Sequence, residues 1–222
     1  MRINKFIAQA TGMSRRAADS DIAIGKVTVN GELPTPGQQI HDGDTVLLDG
    51  KPLEAISTNT IIMLNKPAGY ICSRNGQGAP TVYDLLPENL RHLKTVGRLD
   101  KDSSGLLLLT NNGELANELT HPSFEKEKVY QITLDRPLLP GDAAQIEQGI
   151  PVEDYISQLQ IKNLPSSAYQ ITMIQGKNRQ IRKTFATFGY TVTTLHRTQF
   201  GDFTLDNLQS GEHRELTELQ KG

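Results

Sequence analysis

Apolar and polar positions in the first 50 residues follow a helical period and then a strand period. Apolar side chains between residues 2 and 10 recur at the spacing of one helix face. A second helix is predicted over residues 15–24, after the favourable N-cap Ser14 and before Gly25. The pattern therefore predicts two short helices at the start of the chain.

Strand signals follow the two helices. Residues 27–33 predict strand structure on either side of Asn30-Gly31, a dipeptide that favours a tight hairpin turn. A further strand is predicted over residues 45–48, and residues 51–59 have the polar, proline-containing character of a connector. These elements predict a small α+β module that occupies residues 1–50.

Beyond residue 60, strand patterns outnumber helical ones. The apolar run at residues 106–109, bounded by Gly105 and by Asn111-Asn112-Gly113, predicts a central buried strand. Because strands and helices do not alternate regularly, the pattern favours an α+β fold. The other predicted strands are residues 61–64, 129–134, 169–174, 192–197 and 211–216, and the predicted helices are residues 114–119, 142–148 and 180–188.

Composition excludes several classes of protein. Hydrophobic residues make up 36% and charged residues 22% of the 222 residues, which is typical of a folded globular chain. The single cysteine, Cys72, excludes an intramolecular disulfide framework and a multi-cysteine zinc site. No apolar run approaches the length of a membrane span, and the N-terminus lacks an apolar signal core. We therefore expect a soluble cytoplasmic protein with no membrane partner.

The formal net charge of -2 conceals an uneven distribution. Residues 1–26 carry five basic and two acidic side chains, a local charge of +3, whereas residues 27–59 carry one basic and five acidic side chains, a local charge of -4. A basic pair of helices beside an acidic segment is typical of a face that approaches nucleic acid. A pair of solvated helices has the same charges, so this pattern leaves both interpretations open.

Two loops carry most of the candidate chemistry. Gly97-Arg98-Leu99-Asp100 precedes the central strand and places a carboxylate near an arginine, as in a catalytic loop or an ordinary solvated turn. Residues 175–183 hold four basic side chains and no acidic one, just ahead of a helix, where cations and free N–H groups can bind phosphates. Cations at a helix N-terminus oppose the helix dipole, which disfavours a purely solvated role. Arg182 can also bind a buried carboxylate as a planar fork.

Two shorter motifs accompany these loops. Lys128-Val129-Tyr130 places Lys128 and Tyr130 on one face of a strand. Asn65-Lys66-Pro67-Ala68-Gly69-Tyr70 follows the first strand of the larger part and predicts a rigid turn. A tyrosine in a strand more often packs than reacts, so neither motif identifies a function by itself.

In this order the motifs resemble those of the bacterial ribosomal RNA pseudouridine synthases of the small-subunit, or RsuA, type. Residues 1–50 are similar to the S-four, or alpha-L, RNA-binding module. Small departures stand at Ser103, where the family usually has Thr, and at Lys183-Thr184. The segments that carry the resemblance are Leu64 to Tyr70, Gly97 to Asp100, Ser104 to Asn111, Lys128 with Tyr130, Gly176 to Arg182, and in the small module Ser14-Arg15-Arg16 and Val29-Asn30-Gly31.

The resemblance implies a two-domain α+β protein. Residues 1–50 are expected to form the RNA-binding module, residues 51–59 a linker, and residues 60–222 a catalytic domain with a mixed, largely antiparallel sheet. The implied activity is site-specific isomerisation of uridine to pseudouridine in ribosomal RNA by base flipping, without cofactor or metal. The expected protein is a monomer that acts on 16S or 23S ribosomal RNA, either free or in an assembling subunit.

The resemblance also assigns roles to individual residues. Asp100 is expected to be the catalytic carboxylate, Arg182 its ion-pair partner, and Tyr130 the ring that stacks on the flipped uracil and helps to remove the C5 proton. The other expected contacts are Ile181 on the second face of the uracil, Arg98 in the space that the base leaves in the RNA, Lys128, Lys177 and Arg179 on phosphates, and Arg15 and Arg16 on RNA at the small module.

Two other classes of function remain open at this point. A glycoside hydrolase could use Asp100 and Asp102 as its pair of carboxylates, and it would release free uracil from RNA. A non-catalytic RNA-binding or ribosome-assembly protein would need only the small module. The sequence also leaves open which uridine is modified, and whether Asp100 attacks the sugar, attacks the base or acts as a base at the ribose.

Overall fold

The structure, a computed structural model, describes residues 1–54, 59–76, 78–166 and 168–216. The chain forms two compact units, Met1–Asn59 and Thr60–Gly222. The helices are α1 (Ile3–Thr11), α2 (Arg15–Ala23), α3 (Gly113–Thr120), α4 (Pro140–Gln148) and α5 (Gln180–Thr187). The strands are β1 (Val27–Val29), β2 (Val46–Leu48), β3 (Lys51–Pro52), β4 (Ile61–Lys66), β5 (Lys94–Val96), β6 (Ser104–Thr110), β7 (Lys128–Leu134), β8 (Ile150–Val152), β9 (Tyr155–Ser157), β10 (Gln160–Leu164), β11 (Ala168–Met173), β12 (Val192–Phe200), β13 (Phe203–Thr204) and β14 (His213–Leu216).

In the first unit, α1 and α2 share an apolar core with a three-stranded antiparallel sheet of order β1-β2-β3. The predicted N-cap is present, because the Ser14 hydroxyl accepts a hydrogen bond from the N–H of Ala17 at 3.1 Å. Both predicted helices are therefore confirmed to within one or two residues at each end.

The strand prediction for this unit is partly wrong. Asn30 and Gly31 form a turn with φ of 51° and 88°, but beyond it only Glu32 bridges back to Val29, and Leu33 is exposed. β1 pairs instead with β2, a partner that is distant in sequence. The predicted linker begins with the short strand β3, and its residues 55–58 lie outside the described residues.

The second unit is built on a nine-stranded sheet. The strand order is β10-β11-β7-β12-β6-β4-β14, with β13 beside β12 and β5 beside β6. Strands β12 and β6 run parallel, whereas the other strand pairs described in this sheet are antiparallel. The expected α+β fold with a mixed, largely antiparallel sheet is confirmed.

The core lies on both faces of this sheet. Leu107 and Leu109 of β6 belong to one buried cluster, whereas Leu106 and Leu108 belong to another. A strand buried on both faces has no solvent-facing positions, which explains the continuous apolar run. Each fully buried leucine contributes about 1.5–3 kcal/mol of transfer free energy. In the part of the chain that the structure describes, no helix is long and apolar enough to cross a membrane.

Candidate active site

The loop before β6 is held from below by a buried lysine. Lys66, at the end of β4, is 0% exposed, and its Nζ donates to the carbonyl oxygens of Pro67 at 3.0 Å, Asp100 at 3.1 Å and Ser103 at 2.6 Å. Burial lowers the pKa of Lys66, and nearby acidic groups oppose that shift. Because three carbonyls converge on one ammonium, these contacts fix the segment between residues 100 and 103. They support a structural role for this lysine.

The rigid turn after β4 meets the same loop at two more points. The N–H of Gly69 donates to the carbonyl oxygen of Lys101 at 2.7 Å. The sulfur of Cys72 lies 3.4 Å from both the nitrogen and the oxygen of Leu99. Two segments that are about 30 residues apart in sequence therefore form one rigid loop pair.

Asp100 is the carboxylate of this loop that lines a cavity. Its side chain is 38% exposed, and the residue lines a cavity of the second unit. Nη1 of Arg179 lies 3.6 Å from its Oδ2. A fixed backbone with an accessible carboxylate is the arrangement that a nucleophile or general base needs.

Asp102, two residues further on, is bound by two arginines. Arg179 donates from both terminal nitrogens to its carboxylate at 2.9 Å. Nε of Arg182 lies 3.3 Å from Oδ2 of Asp102, and Nη2 donates to its carbonyl oxygen at 3.0 Å. The hydrogen bonds from Arg179 hold the pKa of Asp102 below its usual range, so this carboxyl stays ionised.

The structure thus differs from the expected ion pair between Arg182 and Asp100. Nη1 of Arg182 donates to the carbonyl oxygen of Val192 at 2.6 Å, so this guanidinium is occupied by two carbonyls and by Asp102. Among the described residues, the arginine beside Asp100 is Arg179. The sequence motif brings both arginines to the loop before β6, but it does not determine which carboxylate each one binds.

Arg179 reaches the loop because of an unusual backbone conformation. It is the N-cap of α5 and has φ of 51° and ψ of 32°, in the left-handed region. The next side chain, Gln180, is buried; it donates to the hydroxyl of Ser157 at 3.1 Å and accepts from the N–H of Lys177 at 3.1 Å. Such a conformation costs about 1–3 kcal/mol and persists where surrounding contacts hold it.

Strands β7 and β12 form the opposite wall of the cavity. Tyr130 of β7 is 7% exposed and pairs in register with Arg197 of β12. Lys128 donates to the carbonyl oxygens of Lys126 at 2.9 Å and Ile174 at 2.8 Å, and burial lowers its pKa. These two strands therefore bring one aromatic ring and two basic side chains, Lys128 and Arg197, to the cavity.

The cavity between these elements has a volume of about 530 Å³. Seven basic side chains line it, with the carboxylates of Asp100 and Glu125. A cavity of this size accommodates a small ring system, and its positive lining suits a ligand with phosphates. The structure brings together eight of the residues singled out from the sequence: Arg98, Asp100, Lys128, Tyr130, Lys177, Arg179, Ile181 and Arg182.

The other two residues singled out from the sequence lie in the first unit. Arg15 and Arg16 start α2 and are exposed. Nη2 of Arg15 donates to the side-chain oxygen of Asn4 at 3.2 Å, and Asn4 in turn donates to Asp19 at 2.8 Å. The contact orients Arg15 across the two helices, whereas the side chain of Arg16 makes no comparable hydrogen bond within the described residues.

The sequence did not single out Arg197 or Phe200 of β12, which also line the cavity. Arg197 is buried at 2% exposure, its Nε donates to the carbonyl oxygen of Leu106 at 2.8 Å, and its guanidinium lies 4.7 Å from the centre of the Phe200 ring. A usable signal was present: Arg197 lies two positions after the buried Leu195, on the inward face of its strand.

Comparison with known families identifies both units. Residues 60–187 match the RNA pseudouridylate synthase family, and residues 1–46 match the S4 domain. The chain belongs to the RNA pseudouridine synthases that carry an N-terminal S4 domain, and it is an isomerase. The resemblance to the RsuA type is confirmed.

Individual relatives agree with this assignment. Ribosomal small subunit pseudouridine synthase A of Salmonella typhimurium is 36% identical over 98% of this chain and 97% of its own length. The dual-specificity RNA pseudouridine synthase RluF of Escherichia coli K12 is 34% identical over 98% of this chain and 76% of its own. A crystal structure of a pseudouridylate synthase superimposes with a TM-score of 0.72 at 33% identity, covering 100% of this chain and 98% of the other.

Proposed function

We propose that this protein converts one specific uridine of ribosomal RNA to pseudouridine, with Asp100 as the catalytic carboxylate. The observation that carries the proposal is the position of Asp100. Its backbone is held by Lys66, its carboxylate is open to the cavity, and the buried ring of Tyr130 lines the same cavity. The target base must leave its stack to reach this depth.

The flipped uracil is proposed to lie between Tyr130 and Ile181. Both side chains are buried and line the cavity, and stacking of a base on an aromatic ring is worth about 1–3 kcal/mol. Asp100, which lines the same cavity, is then proposed to face the ribose and the reacting edge of the base. Arg98, next to this loop, is proposed to fill the space that the base leaves in the RNA.

The isomerisation balances without any co-reactant. The bond between C1′ of the ribose and N1 of uracil breaks, and its electron pair stays on the ring. After the ring rotates, C1′ bonds to C5, the C5 proton is lost, and N1 gains a proton. We propose that Asp100 assists the break at C1′–N1 and that the Tyr130 hydroxyl assists the removal of the C5 proton.

The basic lining is proposed to hold the flanking phosphates. Lys177 and Arg179 precede α5, where the free backbone N–H groups add to the side-chain charge. Lys128 is engaged with two carbonyl oxygens and Arg179 with the carboxylate of Asp102, so a phosphate must replace or share those contacts. In the S4 domain, Arg15 and Arg16 are proposed to contact RNA away from the reacting uridine.

Small-subunit ribosomal RNA is our proposed substrate. The small-subunit enzyme of Salmonella matches this chain over 97% of its own length, whereas the dual-specificity enzyme has a quarter of its length outside the match. The small-subunit enzyme is also the more similar of these two relatives, at 36% identity against 34%. Large-subunit ribosomal RNA is the alternative substrate, and the test below includes it.

The test is to map pseudouridine in ribosomal RNA after incubation with the purified protein. Free 16S RNA, free 23S RNA and partially assembled small-subunit particles serve as parallel substrates, and carbodiimide modification with reverse transcription locates the product. We expect one new pseudouridine in the small-subunit RNA. No new pseudouridine in any substrate, or a new one only in 23S RNA, contradicts the proposed substrate.

Asp100→Asn is the matched variant for this experiment. The amide has nearly the same shape but cannot supply a carboxylate, so we expect no product while RNA affinity, measured by filter binding, is unchanged. Full turnover by this variant would remove Asp100 from the mechanism. Release of free uracil by the wild-type protein would instead indicate a hydrolase.

A further inference from the structure

Arg197 is a buried cation with no counter-charge among the described residues. It is 2% exposed, and no ion pair joins it to a carboxylate of the part that the structure describes. Its Nη2 is buried without a hydrogen-bond partner. Among the described residues, the side chain of Arg197 donates a hydrogen bond from Nε to the carbonyl oxygen of Leu106, and its guanidinium lies over the face of the Phe200 ring.

These contacts offset only part of the cost of burying the charge. A cation over an aromatic ring gains about 0.5–2 kcal/mol, whereas the burial of an unpaired ion costs several kcal/mol. The neighbouring cation adds to the imbalance, since Lys128 lies 5.4 Å from the centre of the same Phe200 ring. A buried guanidinium with an unused donor beside a cavity is suited to bind a polar ligand.

The backbone around Arg197 is built to keep the residue in place. Arg197 pairs with Tyr130 on one side and with Gly105 on the other. Gly105 has φ of 105°, and a side chain there would overlap the backbone of Arg197. The strand is therefore packed tightly at this position, and the arginine lines the same cavity as Asp100 and Tyr130.

We propose that Arg197 binds the flipped uracil and stabilises the negative charge that develops on its ring when the C1′–N1 bond breaks. This inference rests on the proposed function and adds a catalytic residue to it. The electron pair of the broken bond spreads from N1 to the two carbonyl oxygens of uracil. A guanidinium in a buried site stabilises such charge strongly, because little solvent screens it there.

The first test compares Arg197→Met and Arg197→Lys with the wild-type protein on the RNA that it modifies. Removal of one such donor costs about 10²–10³-fold in kcat in other enzymes, and we expect a loss in that range for Arg197→Met, with a smaller one for Arg197→Lys. KM should change far less. The control is Arg136→Met, which removes another arginine stacked on a ring, 4.4 Å from the centre of Tyr190, outside the cavity.

Thermal unfolding separates chemistry from folding. Replacing an unpaired buried charge with an apolar side chain should leave the melting temperature of Arg197→Met unchanged or raise it. A lower kcat together with an unchanged or higher melting temperature supports the inference. Wild-type kcat in Arg197→Met overturns it.

A second substrate makes the test independent of stability. Fluorine at C5 of uridine makes the ring carry negative charge more readily, so cleavage of the C1′–N1 bond in 5-fluorouridine RNA should depend less on Arg197. We expect the substitutions at Arg197 to lower the single-turnover rate of cleavage less for 5-fluorouridine RNA than for uridine RNA. If Arg197→Met does not fold, Arg197→Lys alone serves for this comparison. Equal losses on the two substrates overturn the inference. If the wild-type protein forms no pseudouridine in uridine RNA, that result instead contradicts the proposed function.

Discussion

Two carboxylates two residues apart have different surroundings in this loop. Asp102 is fixed by Arg179 and Arg182, and its pKa is lowered by the hydrogen bonds from Arg179. Asp100 has one arginine at 3.6 Å and an accessible carboxylate. A hydrolytic pair of acids needs one carboxyl with a raised pKa, and Asp102 has the opposite shift. The surroundings therefore suit Asp100 for chemistry and Asp102 for holding the arginines.

Tyr130→Phe tests the role of a single hydroxyl. The ring still packs in the cavity wall and can still stack on uracil, so we expect RNA affinity to be unchanged. Without the hydroxyl, the reaction should stop before the C5 proton is lost, and multiple turnover should disappear. Quantification of pseudouridine over time checks this expectation. Normal turnover by Tyr130→Phe would assign Tyr130 to packing alone.

Arg182→Lys tests the planar fork at the other end of the loop. An ammonium cannot reach Val192, the carbonyl oxygen of Asp102 and its carboxylate at once. We expect kcat to fall by about tenfold or more, because the loop that carries Asp100 is held less firmly. Arg136→Lys, at an exposed arginine outside the cavity, is the matched control and should keep wild-type kcat. Equal rates in the two variants would argue against a positioning role for Arg182.

At the scale of elements, the parallel pairing of β6 with β12 determines how the site is assembled. These two strands run parallel in an otherwise antiparallel sheet and meet at Gly105 and Arg197. The start of β6, which follows the loop that carries Asp100, is thereby placed next to β12, the strand that carries Arg197. A close backbone approach of this kind requires glycine at residue 105.

Gly105→Ala should therefore destabilise the second unit. A Cβ at this residue would overlap the backbone of Arg197, and φ of 105° is strained for any residue with a side chain. We expect a loss of about 2–4 kcal/mol in the free energy of unfolding, measured by urea titration. The control is Gly113→Ala in the first turn of α3, where nothing lies within 4 Å of the new Cβ. An equally small effect of the two substitutions would show that β6 and β12 can move apart at no cost.

At the scale of the whole molecule, charge is divided along the chain. The first 26 residues carry +3 and the next 33 carry -4, although the net charge is only -2. The positive charge of the S4 domain therefore lies in its first 26 residues, and in the second unit seven lysine and arginine side chains line the cavity. Such local patches can bind RNA in a protein whose net charge is negative.

Replacing Arg15 and Arg16 together with Gln in the full-length protein tests the S4 helix as an RNA contact. Each lost phosphate contact should reduce the slope of log affinity against log salt by about 0.7–0.9, so the pair should reduce it by about 1.5. Turnover at saturating RNA should be retained, since both residues lie in the other unit. Lys51→Gln, in the acidic part of the same unit, is the control. An unchanged salt slope in the double variant would place the RNA contact elsewhere.

The local chain alone determined the helices, the central strand and the motifs. A helix depends on the period of its own side chains and on its caps, as at Ser14, so the boundaries of α1 and α2 could be predicted to within one or two residues. The run at Leu106–Leu109 predicts a fully buried strand because it is short and is bounded by Gly105 and by Asn111-Asn112-Gly113. The motif order then identified the family.

Tertiary structure decided which partners these segments take. The sequence predicted strand structure over residues 27–33 on both sides of the Asn30-Gly31 turn. Instead, β1 pairs with β2, because strand pairing depends on residues far away in the chain. In the same way, Arg182 was expected at Asp100 and lies at Asp102, a contact across 80 residues. Arg197 has no recognisable motif. Its burial, and the absence of a counter-charge among the residues that the structure describes, arise only when β7, β12 and β6 are placed side by side. Sequence pattern records local preferences, whereas ion pairs and buried charges depend on distances that only the folded chain defines.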